Sequence, residues 1–415
     1  MTLALPNQKQ NPKHKQPQNP TKQKILHTNY LRQILAQDSN IAKMLMAGMC
    51  SDYSVDPSEE ASVQDVTSFE QVRALVADEF SIEEGFLDHG AHTFHVKLTP
   101  ESKNAFLRLM KRLDAISLIP FFREEEGKYV LRIVGKPPIK PSRIRTNLLL
   151  FLATIGTTLL TGYLITPSDW VDPIVGAITF TISLLAVVGV HELSHKFAAD
   201  RHGIEATAPY FIPGPPPPFG IGTLGAVIQQ KSLAPNKDAL FDLGISGPLI
   251  GFAVAVVVTI IGILMSFTSS VLPPEAALLP SPLFFDFLIR MLANAGFLRG
   301  GQFILLHPVA FAGWVGMFVT VINLIPAGML DGGHAVRGLL GRKASSVLPI
   351  VAIVILLVLN FSLYWLIAII AFFFSMQRHP GPLDDVSKLT TGRKLAAILL
   401  VAVFILCIAP SPYIL

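Results

Sequence analysis

Charge is scarce in this chain. Asp, Glu, Lys and Arg supply 15% of the 415 residues against a 51% hydrophobic share, where a soluble domain carries about a quarter charged residues. With a mean hydropathy of +0.51, the shortage excludes an ordinary soluble globular chain and points to the membrane class. Cysteine is scarcer still. Cys50 and Cys407 are the only two, far apart and in unlike settings, which excludes a disulfide framework and a thiolate zinc site. Any metal must be held by His and carboxylate. Residues 1–28 have almost nothing apolar after Leu5 and lack the continuous apolar core of a secretory signal peptide. They read as a disordered basic tail, and residues 1–60 have no assigned fold. The net charge of +4 falls in short basic blocks between long uncharged ones. That pattern belongs to membrane topology, with lipid and no nucleic acid as partner.

What is present divides into a soluble part and a membrane part. Residues 61–136 read as a small cytoplasmic α+β domain. It has a helix over 68–79, a strand over 93–98, a helix opened by Thr99-Pro100-Glu101, and strands over 115–123 and 128–134 around a turn at 124–127. His92 and His95 are read as exposed strand histidines. A stiff basic linker, 137–145, comes next. From 146 to 410, apolar runs near the roughly 20 residues of a spanning helix predict about six to seven spans. They cover 146–165, 174–199, 240–267, 309–325, a 347–376 run that is one tilted span or a short hairpin, and a last span from 394. Lys196, Arg201, Arg337 and Arg342 mark the inner side, and the acidic loop 166–173 the outer. The N-terminus and the inner helix ends then face the cytoplasm of a cell-membrane protein. The expected fold class is an α-helical polytopic membrane protein with a small N-terminal α+β soluble domain and a membrane-associated β-strand or re-entrant segment.

That last segment is 203–237, where Pro213 to Pro218 and the glycines Gly220, Gly222 and Gly225 rule out a spanning helix. Its apolar, Gly-interrupted 220–230 stretch reads as a strand whose unpaired edge can take an unfolded peptide. An ordinary Gly-rich connector is the bland alternative.

The chemistry concentrates at His191-Glu192-Leu193-Ser194-His195, near the inner end of the second span. On a helix, residues four apart share a face, so two imidazoles can bind one Zn²⁺ with Glu192 beside it as general base. Ionisable groups inside a span are costly and read as functional. A catalytic zinc takes three protein ligands. Asp331, at the inner end of an antiparallel neighbour, is the best third candidate, with His334 and His202 in competition. His334 lies about one turn beyond Asp331 and suits a supporting role. Asn323 and Pro326 break the helix at the same depth. Asn323 reads either as a terminating cap or as an amide that hydrogen-bonds substrate. The competing readings are a metal-free His–Glu pair, a scaffold, and another membrane zinc protease such as a prenyl-protein processing enzyme, which would bring a Glu third ligand.

His191-Glu-Leu-Ser-His195, with Asn323-x-x-Pro326-x-x-x-x-Asp331-Gly332 in a later span, resembles the site-2 protease family of intramembrane zinc metalloproteases. Gly247-Pro248-x-x-Gly251 and the 220–225 glycines match further family features, and 222–252 is most similar to the branch shared by archaea, cyanobacteria and plastids. The resemblance covers about 143–410. It implies that His191, His195 and Asp331 bind zinc and that Glu192 is the base. It also implies that Asn323 and Pro326, with the Gly220, Gly222 and Gly225 strand, position a transmembrane protein substrate. The substrate's name and the oligomeric state have no signature here.

Overall fold

The computed structural model describes residues 68–138, 143–271, 279–298, 301, 303–358, 362–377 and 379–408. The expected tail, 1–60, lies outside the described residues. The first described element is α1 (Phe69–Ala77), opened by a capping box at Ser68. Gln71 N–H donates to Ser68 Oγ (3.3 Å) and Ser68 N–H to Gln71 Oε1 (3.0 Å), satisfying two otherwise orphan donors. After it come β1 (Ile82–Asp88), β2 (Ala91–Val96), α2 (Ser102–Asp114), β3 (Leu118–Glu125) and β4 (Lys128–Gly135). The sheet order is β1-β2-β4-β3, with β4 antiparallel to β2 and β3. Phe106, Leu109 and Leu113, three and four residues apart on α2, close over Phe94, Phe122, Leu131 and Ile133. β1 has no strand signature in the sequence because it lies at a sheet edge and is exposed along most of its length, which removes the period-2 alternation of a half-buried strand. β2 and β3 begin two residues before and three residues after the expected bounds, 93 and 115.

Among the described residues, four helices are long and apolar enough to cross a membrane. They are α3 (Ile144–Ile165), α4 (Pro173–Arg201), α5 (Lys237–Leu264) and α8 (Asp331–Val358). Between them come α6 (Leu283–Asn294) and the 17-residue α7 (Pro308–Leu324); α9 (Ser362–Ser375) and α10 (Thr391–Cys407) follow α8. The 347–376 run is divided between α8 and α9, which pack on each other. α8 itself starts at Asp331, well before that run, and breaks at Gly341 (φ 80°, ψ −167°). The short ladder β7 (Phe267–Ser269) with β8 (Phe303–Leu305) flanks α6.

The centre of the bundle is α4, α5 and α7. Phe180, Leu184, Val187 and Val188 of α4 meet Ala255 and Val258 of α5 and Met317, Phe318 and Val321 of α7. Glycines permit this closeness, as small residues do between membrane helices. A Cβ on Gly316 would lie 2.8 Å from Val187 and from Ala255, and one on Gly313 2.8 Å from the Thr259 backbone nitrogen.

In 203–237 the structure forms a hairpin, β5 (Tyr210–Pro213) with β6 (Thr223–Val227). The strand is shorter than the expected 220–230 stretch, and Gly220 and Gly222 belong to the connection before it. Gly222 (φ +82°) sits where a Cβ would lie 2.5 Å from Thr161 Oγ1 of α3. Thr157 Oγ1 donates to Gly222 C=O (2.6 Å), and the Asn147 amide to Ala208 C=O (3.1 Å). α3 therefore holds the hairpin.

A second β pairing joins the soluble sheet to the helices. Segment 383–385, between α9 and α10, lies along β3. Phe122 N–H donates to Leu383 C=O (2.9 Å) and Asp385 N–H to Phe122 C=O (3.1 Å). Its other edge donates to Ala234 C=O (from Leu383, 2.8 Å) and Pro235 C=O (from Asp384, 3.0 Å), just ahead of α5. Leu383 is 3% exposed and packs in the same core as Phe122.

Candidate metal centre

α4 begins at a cap written in its sequence. Asp172 accepts from Ile174 N–H (2.9 Å) and Val175 N–H (3.1 Å), and Pro173 occupies the first turn, where no N–H is needed. Five turns later the helix presents His191 and His195 on one buried face. α7 ends at Leu324 because Ile325 precedes Pro326, which drives its backbone to an extended ψ of 132°. The chain turns through Gly328 (φ +46°) and re-enters a helix at Asp331. Gly332 and Gly333 let the α8 start lie on the α7 end: a Cβ on Gly332 would be 2.5 Å from Ile325 C=O, and one on Gly333 2.9 Å from Ala327 C=O.

This turn delivers Asp331 to the histidines. Asp331 Oδ2 lies 3.2 Å from His191 Nε2 and 3.1 Å from His195 Nε2, and the two nitrogens are 3.1 Å apart. His195 Nδ1 is 2.8 Å from Leu243 C=O, and a carbonyl only accepts, so the proton of the neutral ring is on Nδ1 and Nε2 carries a lone pair. The Asn323 amide nitrogen, which only donates, lies 3.2 Å from His191 Nε2, so that atom offers a lone pair as well. Three lone-pair donors at 3.1–3.2 Å from one another do match the edge of a tetrahedron around an ion with ligands about 2.0 Å away, which is about 3.3 Å. Among the described residues this is the one group of three or more such side chains placed to hold a metal.

α5 closes the centre with glycines. A Cβ on Gly247 would meet His191 Nε2 at 2.7 Å and His195 Cε1 at 2.6 Å, and would lie closer still to His195 Nε2; one on Gly251 would be 2.8 Å from His191 Nδ1. These glycines, the ends of the Gly247-Pro248-x-x-Gly251 pattern, face the imidazoles.

Glu192 is 7% exposed and turns toward the hairpin, where Ile228 N–H donates to its Oε2 (3.0 Å). Asn323 places its side-chain nitrogen 3.2 Å from His191 Nε2. Pro326 is half-buried at the turn. Gly225 lies in β6 with φ +100°, and a Cβ there would meet nothing within 4 Å; Gly220 packs on Pro215 C=O, 2.7 Å from where a Cβ would be. The other two candidate ligands go elsewhere. His202 Nε2 is 2.8 Å from Asp242 Oδ2, and His334 pairs through Nδ1 with His379 Nε2.

His379 lies between α9 and α10, and its burial, then His334 and Arg337 beside it, holds its pKa well below the ordinary histidine value. A histidine with a depressed folded pKa contributes stability that is present above its unfolded pKa and is lost as pH falls. The unfolding temperature of the full chain should therefore decline as pH drops from about 7.5 to about 5.5, through the unfolded value near 6.5. The decline should be shallower in His379→Gln, and equal slopes in the two proteins would refute this role.

The model of the family described as Peptidase family M50 matches residues 179–367. The chain is 32% identical over 248 residues to the probable zinc metalloprotease EGY1, chloroplastic, of Oryza sativa subsp. japonica, covering 56% of this chain and 41% of that protein. It is 27% identical over 326 residues to the probable zinc metalloprotease EGY2, chloroplastic, of Oryza sativa subsp. indica, covering 72% and 57%. It is 31% identical over 232 residues to EGY1 of Arabidopsis thaliana, covering 52% and 40%. The chain thus spans about half the length of the curated relatives it matches. No solved structure matches. The segment carrying the paired histidines, Glu192, Asn323 and Asp331 is a peptidase family M50 domain, of the site-2 protease family.

Proposed function

We propose that this chain is an intramembrane zinc metalloprotease that hydrolyses peptide bonds of transmembrane segments near the cytoplasmic face. Regulated intramembrane proteolysis and clearance of membrane peptides both suit it. The observation that carries the reading is the triangle of His191, His195 and Asp331 donor atoms with Glu192 next in sequence to the first of them. His191, His195 and Asp331 hold the zinc. Bound there, zinc supplies Lewis acidity, acidifying a water and polarising a peptide carbonyl.

The chain's own residues do the rest. Glu192, held by Ile228 N–H, takes the proton of the attacking water and returns it to the leaving amine. The Leu243 carbonyl keeps His195 in the tautomer whose Nε2 is free. The Asn323 amide, already against His191, hydrogen-bonds the substrate backbone or its developing oxyanion. A helical substrate hides its carbonyls in i→i−4 bonds and must unwind first. β6 pairs with β5 on one edge. Its other edge offers a template to an unwound peptide. Gly225 leaves room beside it, and Gly220 and Gly222 shape the approach.

Purified full-length chain in detergent, given a single-span reporter and assayed for zinc by elemental analysis, tests the reading. The wild type is expected to hold one zinc per chain and to cleave. Asp331→Asn is expected to lose both properties. A wild type without zinc, or Asp331→Asn with wild-type zinc and cleavage, would reject it.

A further inference from the structure

Asp331 stands at the start of a short rigid piece. Gly341 breaks α8, so 331–340 is a ten-residue helix distinct in direction from the remainder of α8. Two further residues of that piece, three and six positions after Asp331, grip one extended segment. His334 pairs with His379. Arg337, 3% exposed, donates from Nη1 (2.9 Å) and Nη2 (2.6 Å) to the two oxygens of Asp385. Gly381 (φ +79°) lies flat on the same guanidinium, where a Cβ would be 2.5 Å from Nη2. A two-pronged Arg–carboxylate pair fixes direction as well as distance, so segment 379–385 and the Asp331 piece move together.

The other face of that segment belongs to the soluble sheet. Leu383 is in its core, the segment pairs with β3, and Arg123 Nη1 donates to Leu383 C=O at 2.6 Å. Asp384 stiffens the next turn by accepting from Val386 N–H (3.0 Å) and Ser387 N–H (2.9 Å). A chain of direct contacts thus runs from β3 through 383–385 to Arg337 and on to Asp331. We propose that the α+β domain sets the position of the Asp331 carboxylate through this strap, with Asp385 and Arg337 as positioning residues for the metal centre. The proposal rests on the metalloprotease reading for the purpose of the device, though the coupling itself is a property of the metal-free fold. The soluble domain thereby acquires a regulatory role, since a ligand or partner that shifts β3 changes metal affinity without touching the centre.

The Asp385 carboxyl supports the geometry. Burial alone would raise it, but the Arg337 guanidinium, with Arg123 and Lys237 nearby, holds it below the ordinary aspartate range. It is therefore ionised and paired at neutral pH.

The test uses the full chain in detergent, with zinc affinity read by competition against a chelator and amide exchange of 331–340 read in metal-free protein. Asp385→Asn is expected to weaken zinc binding about tenfold, as loss of a partner behind a ligand does, and to speed exchange in 331–340. Asp385→Glu, which keeps the charge, should restore both toward wild type. Arg123→Met, on the sheet side of the strap, should shift both in the same direction as Asp385→Asn. Unchanged exchange and unchanged affinity in Asp385→Asn would overturn the proposal while leaving the protease reading intact. A wild type that binds no zinc removes the metal reading alone, because the exchange arm still decides whether the strap holds the helix.

Discussion

Glu192→Gln is expected to keep one zinc per chain and to cut peptide cleavage by about 10³-fold, the middle of the range for losing a general base. The substitution keeps the size of the side chain and leaves an amide oxygen to accept from Ile228 N–H, as Glu192 Oε2 does at 3.0 Å. The local fold should therefore survive, and with it the positions of His191 and His195. What is lost is the basic carboxylate that takes the water's proton. The two readouts must separate: equal zinc by elemental analysis, and a large drop in reporter cleavage at saturating metal. Cleavage within a few-fold of wild type would mean that the proton goes elsewhere, and that Glu192 serves only to tie α4 to the hairpin. Zinc lost together with activity would make Glu192 a ligand, contrary to its turn toward Ile228.

Gly247→Ala is expected to lower zinc affinity by at least about a hundredfold, the upper range seen when the surroundings of a site are disturbed. The new methyl would stand 2.6 Å from His195 Cε1 and 2.7 Å from His191 Nε2, so both rings must swing or α5 must withdraw. Withdrawal would also unpack α5 from the residue of the third donor, since a Cβ on Gly244 would be 2.7 Å from Asp331 C=O. Gly251→Ala crowds His191 alone, with Nδ1 at 2.8 Å and Cβ at 3.1 Å, and should lose less; Gly156→Ala, with nothing within 4 Å, serves as the neutral control. A graded loss across the three, measured by chelator competition, places the metal against α5. Wild-type affinity in Gly247→Ala would mean that the three donor atoms do not act as a set.

Local periodicity makes part of this legible in the sequence. His191 and His195 are four apart on an apolar helix, and that spacing alone puts both rings on one face. Asp331 is reached only through the order of spans and the family resemblance, because no local pattern links it to residues 136 and 140 positions earlier. The rest is hidden for identifiable reasons. β5 is four residues beside a proline-rich stretch, too short to show alternation. The 383–385 strap is Leu-Asp-Asp, a composition poor in strand formers, and it is extended only because β3 and 234–236 supply partners on both sides. The Ile228 to Glu192 bond uses a backbone N–H, which every residue but proline carries. Gly341 is followed by Arg342 and Lys343 with no proline or Asn-Gly turn beside it, and its break is visible only in its dihedral angles.

The brevity of α7 is absorbed by the protein. Seventeen residues rise about 26 Å at 1.5 Å per residue, less than the hydrocarbon thickness of about 30 Å. No residue of α7 is exposed, and the 29-residue α4 and 28-residue α5 pack along it, so the shortfall is met by neighbouring helices and not by lipid. Irregular backbone at such a depth is tolerated where protein buries it. The helix end that carries Asn323, and the turn after it, can therefore stand inside the bundle with no deformation of the membrane around it.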